Sequence, residues 1–152
     1  MGNFFGTIYC WFEDLFGVNL GDYMWGVSSS YSTDNSFIPV GIWMFVISLL
    51  MVLIYYYVVN RPALCNWWGW LIFLGINAGI NFTLGWQLVL ADYYEGKMVR
   101  LDPASNLEVP LDIDYSNILC FGVANMILSI FAFIIFSYCF KWWSRNCSSA
   151  PF

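Results

Sequence analysis

The sequence predicts an all-α integral membrane protein: three transmembrane helices, an N-terminal interfacial amphipathic helix, and a small extramembrane β-hairpin between helices two and three. Two observations lead there. The 152 residues are 61% hydrophobic and 22% aromatic with only 10% charged, which is more apolar surface than one water-soluble core of that length buries. Three windows, 37–59, 68–90 and 118–140, each hold the roughly 20 apolar residues that cross a bilayer's hydrocarbon, and none contains Asp, Glu, Lys or Arg.

Taken in order, residues 1–36 form an N-terminal interfacial segment and a polar linker. Within 4–16, Phe5, Ile8, Phe12, Leu15 and Phe16 share one helical stripe, too short and too interrupted by Glu13 and Asp14 to span. Its charges are acidic, so it lacks the Lys-rich face that draws a helix onto anionic lipid; packing on the protein's own helices or on a neighbour is the expected anchor. The stretch GVSSSYSTDNS, 26–36, reads as the linker into the first span. No basic n-region or small-residue cleavage site precedes it, so no removable signal is expected, and MGNFFG lacks the Ser or Thr of the myristoylation pattern.

The transmembrane domain covers 37–140. Between the first two spans lies only NRPALCN, 60–66, a connection short enough to make helices one and two antiparallel neighbours. The loop 91–117 is longer, and in it Leu107, Val109, Leu111 and Ile113 alternate with Glu108, Pro110, Asp112 and Asp114, the period of a half-buried strand. With turn residues Asp102, Pro103, Ser105 and Asn106 before it, the pattern predicts a hairpin with arms at 97–101 and 107–113. Pro110 marks its arm as an edge strand. Residues 141–152 form a short basic and aromatic tail.

Five Lys and Arg set the expected orientation. With the N-terminus outside and the C-terminus cytoplasmic, Arg61, Lys141 and Arg145 lie inside, close to helix ends, against Lys97 and Arg100 outside. Trp142 and Trp143 join them as anchors at the inner interface. The membrane expected is a plasma or bacterial inner membrane.

The residues offer little for catalysis. There is no His, which removes the commonest general base near neutral pH and the usual haem ligand. All Asp and Glu fall outside the three windows, so a buried acid or proton relay is missing. No P-loop, GxGxxG, HExxH or nucleophile-elbow pattern occurs. The five Cys show no CxxC pair or zinc spacing, and they read as small hydrophobes rather than ligands, although Cys10 and Cys120 fall on the same expected side. Asp112, Asp114 and Ser116 alternate like the start of a calcium loop, but Asn117 and Val123 stand where Gly and Glu are required, so a solvated acidic loop is the better account. No catalytic residue, cofactor or metal is expected.

The second window carries GINAGINFTLG, 75–85. At about 100° per residue, Gly75 and Gly79 lie on one side of this helix and Asn77 and Asn81 nearly opposite. The glycine side permits close backbone approach; the asparagine side presents amides that hydrocarbon cannot satisfy. In the third window Gly122, Asn125, Ser129 and Ala132 form one small and polar stripe at matching depth. These positions predict a polar layer joining helices two and three, with Ser48 contributing and with Asn81 facing Asn125 or a shared water. A second reading has Asn77, Asn81, Thr83, Asn125 and Ser129 lining a pore in an oligomer.

The function expected is that of a non-catalytic integral membrane subunit assembling with itself or with other membrane proteins in a complex. The alternative is a pore-forming homo-oligomer, and a third reading is an accessory subunit of a membrane enzyme whose cofactors lie in another chain. Expected partners are membrane lipid and other membrane chains, not nucleic acid. Contacts with other chains are expected at 4–16, at the hairpin and at 142–152.

Overall fold

Where water is absent a backbone must hydrogen-bond to itself, and this chain does so almost wholly as helix. The computed structural model describes residues 2–26, 35–59, 66–101 and 107–142. Three short helices, α1 (Gly2–Cys10), α2 (Glu13–Phe16) and α3 (Val18–Trp25), precede α4 (Phe37–Leu53). Then come α5 (Trp67–Tyr94), the strands β1 (Val99–Leu101) and β2 (Glu108–Pro110), and α6 (Tyr115–Lys141).

Three helical segments, Phe37–Val58, Trp67–Tyr94 and Tyr115–Lys141, are long and apolar enough to cross a membrane. The first ends one residue short of its predicted window; the second contains its window with one residue more at the start and four at the end, and the third with three more at the start and one at the end. Asn35 caps α4, its Oδ1 accepting from the Phe37 N–H at 2.9 Å, a bond that satisfies one of the orphan donors of a first turn. At its far end α4 widens into a π-helical turn, Ile54–Val58, closed by a 3.0 Å bond from the Val59 N–H to the Ile54 carbonyl. Of the expected inner anchors, Arg61, Trp143 and Arg145 lie outside the described residues.

The N-terminal segment is helical but broken. One continuous stripe of Phe5, Ile8, Phe12, Leu15 and Phe16 requires one continuous helix, and the chain turns at Trp11 and Phe12 instead. The turn rotates α2 relative to α1, so Tyr9 and Phe16 are fully buried while Leu15 is exposed. Gly17, at φ 89°, links α2 to α3, and Gly26, at φ 77°, ends α3 with its N–H on the Asp22 and Tyr23 carbonyls; both conformations suit Gly alone. α3 occupies a stretch to which the sequence pattern assigns no element, and it ends where the expected linker, 26–36, begins; residues 27–34 of that linker lie outside the described residues.

The hairpin stands where it was predicted, with shorter arms. β1 and β2 pair antiparallel, Val99 opposite Pro110, Arg100 opposite Val109 and Leu101 opposite Glu108. The expected half-burial does not extend to β2: Leu107, Glu108, Val109 and Pro110 are all exposed, while Val99 of β1 is half-buried. Burial begins where the arms meet the rest of the chain, at Met98 and Ile113. A three-residue ribbon has no second layer to cover it.

Contacts divide the chain into two compact units, Met1–Ile42 with Phe82–Asn125, and Trp43–Asn81 with Met126–Phe152. The first has an aromatic core. Tyr9 stacks on Phe37 at 5.2 Å and on Phe121 at 5.5 Å, and Phe16 meets Phe121 edge-on at 5.4 Å. Trp25 meets Phe37 edge-on and covers Gly6, and the Phe5 ring covers Gly41. The Asn19 amide donates to the Asp112 carbonyl at 3.1 Å, tying α3 to the segment after β2. The second unit centres on Val52, Tyr55, Tyr56, Trp70 and Phe133.

A side chain at Gly6 must displace the Trp25 ring. Gly6→Val is expected to cost about 1–3 kcal/mol of stability, the usual range for overpacking, and to release the N-terminal segment to protease. Gly75→Val, where a Cβ meets nothing within 4 Å, should leave the protease pattern of the single chain unchanged.

Candidate functional site

Every buried polar side chain among the described residues belongs to one of the three long helices: Ser48, Asn77, Asn81, Asn125, Ser129 and Ser137. All six are fully enclosed. Groups enclosed in this way are expected to hydrogen-bond within the protein, since an unpartnered buried polar group is costly.

In the second unit these residues form two nodes. The Asn77 amide donates to the Ser129 carbonyl at 3.2 Å, a bond between helices two and three. One turn along α5, the Asn81 amide donates to the Asn77 carbonyl at 3.0 Å and to Asn77 Oδ1 at 3.1 Å. Ser129 Oγ donates to the Met126 carbonyl at 2.7 Å. The second node lies at the π-helical turn. Its wider spacing lets consecutive Tyr55 and Tyr56 both point inward, and Ser137 Oγ there accepts from Trp70 Nε1 at 3.2 Å and hydrogen-bonds the Tyr56 hydroxyl. Ser48 Oγ is enclosed with no hydrogen-bond partner among the described residues.

In the first unit, the Tyr9 hydroxyl donates to Asn125 Oδ1 at 2.6 Å. The sequence pattern gives Asn125 a partner on helix two and does not mark Tyr9 at all. Asn125 also lies against α5 here: a Cβ at Gly85 would stand 2.9 Å from its Cβ and Nδ2. At Gly122 a Cβ would meet Phe82 and Trp86 at 3.1 to 3.2 Å. Close backbone approach therefore occurs at Gly85 and Gly122. Gly122 was predicted; Gly85 was missed, though it continues the Asn77 and Asn81 face at the same spacing of four.

The approach expected at Gly75 and Gly79 is not made within the chain. Both are exposed, and a Cβ on either would meet nothing within 4 Å. The physical reason is the helical period itself: with Asn77 and Asn81 turned inward, the glycines face away. Thr83 is exposed as well.

Outside the spans, Tyr23 is buried on the first unit. Desolvation pushes its phenol up, and hydrogen-bonded Asp92 raises it further. Lys97 bridges Glu95 and Asp92 and is raised in turn, chiefly by its hydrogen bond to Glu95. Among the described residues no three Cys, Asp or Glu converge to hold a metal ion. Cys10, Cys120 and Cys139 are free thiols; Cys10 Sγ accepts from Trp25 Nε1 at 3.2 Å. The chain matches no protein-family model, no curated protein and no solved structure, so its own residues carry the functional reading.

Tyr9→Phe removes the donor to Asn125 and is expected to cost about 1–3 kcal/mol. In a double-mutant cycle with Asn125→Leu, measured by unfolding in detergent, the two losses should be coupled rather than additive.

Tyr23 also makes stability depend on pH. Its folded pKa lies above the unfolded value of 10.0, so its contribution is intact below that pH and is lost as pH rises beyond it. Thermal unfolding of the wild type should fall more steeply above about pH 10 than that of Tyr23→Phe.

Proposed function

We propose that this chain is a non-catalytic integral membrane subunit that assembles with further copies of itself or with other membrane proteins. The observation that carries the reading is the outward face of α5. Gly75 and Gly79 stand there with open space above them, between exposed Ile72, Ile76 and Ile80. A glycine inside a helix costs about 0.5–1 kcal/mol relative to alanine. That cost is offset where a second backbone packs close, and no such contact is made within the chain. Exposed Gln87 continues the same face, and a polar side chain turned toward hydrocarbon favours a protein neighbour over lipid.

The inner composition supports a structural role. Among the described residues the buried polar groups of the spans are amides and hydroxyls, most of them bonded to the chain's own helices, with no carboxylate or amine among them. A pore lined by Asn77, Asn81, Thr83, Asn125 and Ser129 draws no support from this arrangement, because four of the five are enclosed within the chain. We infer the orientation from the basic residues: Arg61, Lys141 and Arg145 on the cytoplasmic side, and an N-terminal segment of 36 residues without Lys or Arg outside.

Native mass spectrometry in a mild detergent tests the proposal. A mass of two or more chains, or of the chain with another membrane protein, is expected. Gly79→Leu should shift it to the single chain while leaving thermal stability unchanged. A wild-type species of single-chain mass would overturn the reading.

A further inference from the structure

The place of α1 relative to the bilayer is set by what its inner face touches. Its outer face then identifies a second contact surface, one that does not depend on the proposed assembly through α5.

Three contacts fix the depth of α1, all within the first unit. The Tyr9 hydroxyl reaches Asn125, which lies seven residues past Ile118, where the apolar window of α6 opens. At 1.5 Å per residue that is about 10 Å below the edge of the hydrocarbon. The Tyr9 ring itself stacks on Phe121, three residues past the same edge. The Phe5 ring covers Gly41, four residues into α4 and about 6 Å below its start. A helix lying flat on the membrane surface could not make these contacts together, since half the hydrocarbon is only about 15 Å thick.

The composition of α1 agrees with that depth. The segment GNFFGTIYC has no charged residue, and the first charges of the chain, Glu13 and Asp14, come only after the turn at Trp11 and Phe12. Away from the protein, α1 presents Phe4, 58% exposed, and just past its end Trp11, 78% exposed. The face toward the chain is apolar and aromatic; the face away from it carries Phe4 and Trp11 with one exposed hydroxyl residue, Thr7, between them, which has an interaction of its own within the chain. An uncharged element with aromatic side chains on both sides, at the depth of two spanning helices, has acyl chains as its outer neighbour. Trp11, at the charged end, suits the boundary with the headgroups.

We propose that α1 is a half-membrane helix embedded in the leaflet next to the hairpin, with Phe4 and Trp11 in contact with lipid. The N-terminal segment is then a fourth intramembrane element. Its surface partner is the acyl region of phospholipid, and no anionic headgroup is needed to hold it.

Nitroxide labels at Phe4→Cys and Trp11→Cys, in the full-length chain with its native cysteines replaced and reconstituted in lipid nanodiscs, test this. Ile42→Cys, exposed at the start of α4, and Val109→Cys, exposed on the hairpin, serve as references. The ratio of oxygen to nickel-chelate collision should match position 42 at position 4, lie between positions 42 and 109 at position 11, and exceed position 109 several-fold at both. A ratio equal to that at position 109 would place α1 in water and overturn the proposal. Low collision with both reagents would show a protein neighbour there and overturn it equally. In the protein with its cysteines intact, acyl-brominated lipid should quench the wild type more than Trp11→Phe; equal quenching would count against lipid contact.

Discussion

An amide in hydrocarbon has no water to turn to, and three asparagines of this chain are fully enclosed in helices that cross it. Each finds its bond inside the protein, and those bonds decide which faces of the helices meet. Asn77 binds the backbone of α6 at Ser129, Asn81 donates its amide to Asn77, and Asn125 accepts from Tyr9. With the inward face of α5 set in this way, the position of every other residue on that helix is given by its period. The polar stripe of α6, running from Asn125 through Ser129 to Ser137, serves as the acceptor and donor line for the segments that pack around it.

The glycines divide along the same line. Gly85 and Gly122 lie on faces turned toward a neighbour inside the chain, where a methyl group would collide with Asn125, Phe82 or Trp86. Gly6 and Gly41 receive the rings of Trp25 and Phe5, which lets the N-terminal helices seat closely. At Gly75 and Gly79 a Cβ would meet nothing within 4 Å among the described residues, and this contrast separates glycines whose missing side chain lets the fold close up from glycines where it does not.

The two polar nodes of the second unit also bear on rigidity. The π-helical turn brings consecutive tyrosines inward, and Ser137 joins one of them to Trp70. Tyr55 adds a 3.4 Å bond to the Asn66 carbonyl ahead of α5. Among the described residues, aromatic rings with hydroxyl and indole tips fill this cluster, which suits a position near a membrane interface. Such an interior holds helices in register.

Much of this was legible from residues alone. The three spans come from uninterrupted apolar length, the hairpin from alternation and turn residues, and the expectation of a polar layer between helices two and three from the rule that polar groups in a membrane seek one another. Gly85 and Ser137 were legible as well, as continuations of faces already marked at Asn81 and Ser129. The helix α3 was harder to read, because Gly17 and Gly21 weaken local propensity, and burial of Leu20, Tyr23 and Met24 overrides it. What only the tertiary structure decided was which neighbour each face meets. Period places Tyr9 on a helix side, but nothing local says that its hydroxyl will reach across 116 positions to Asn125, or that Gly75 and Gly79 will be left facing outward. Those outcomes depend on the docking of distant segments, where the satisfaction of a buried amide outweighs every local preference.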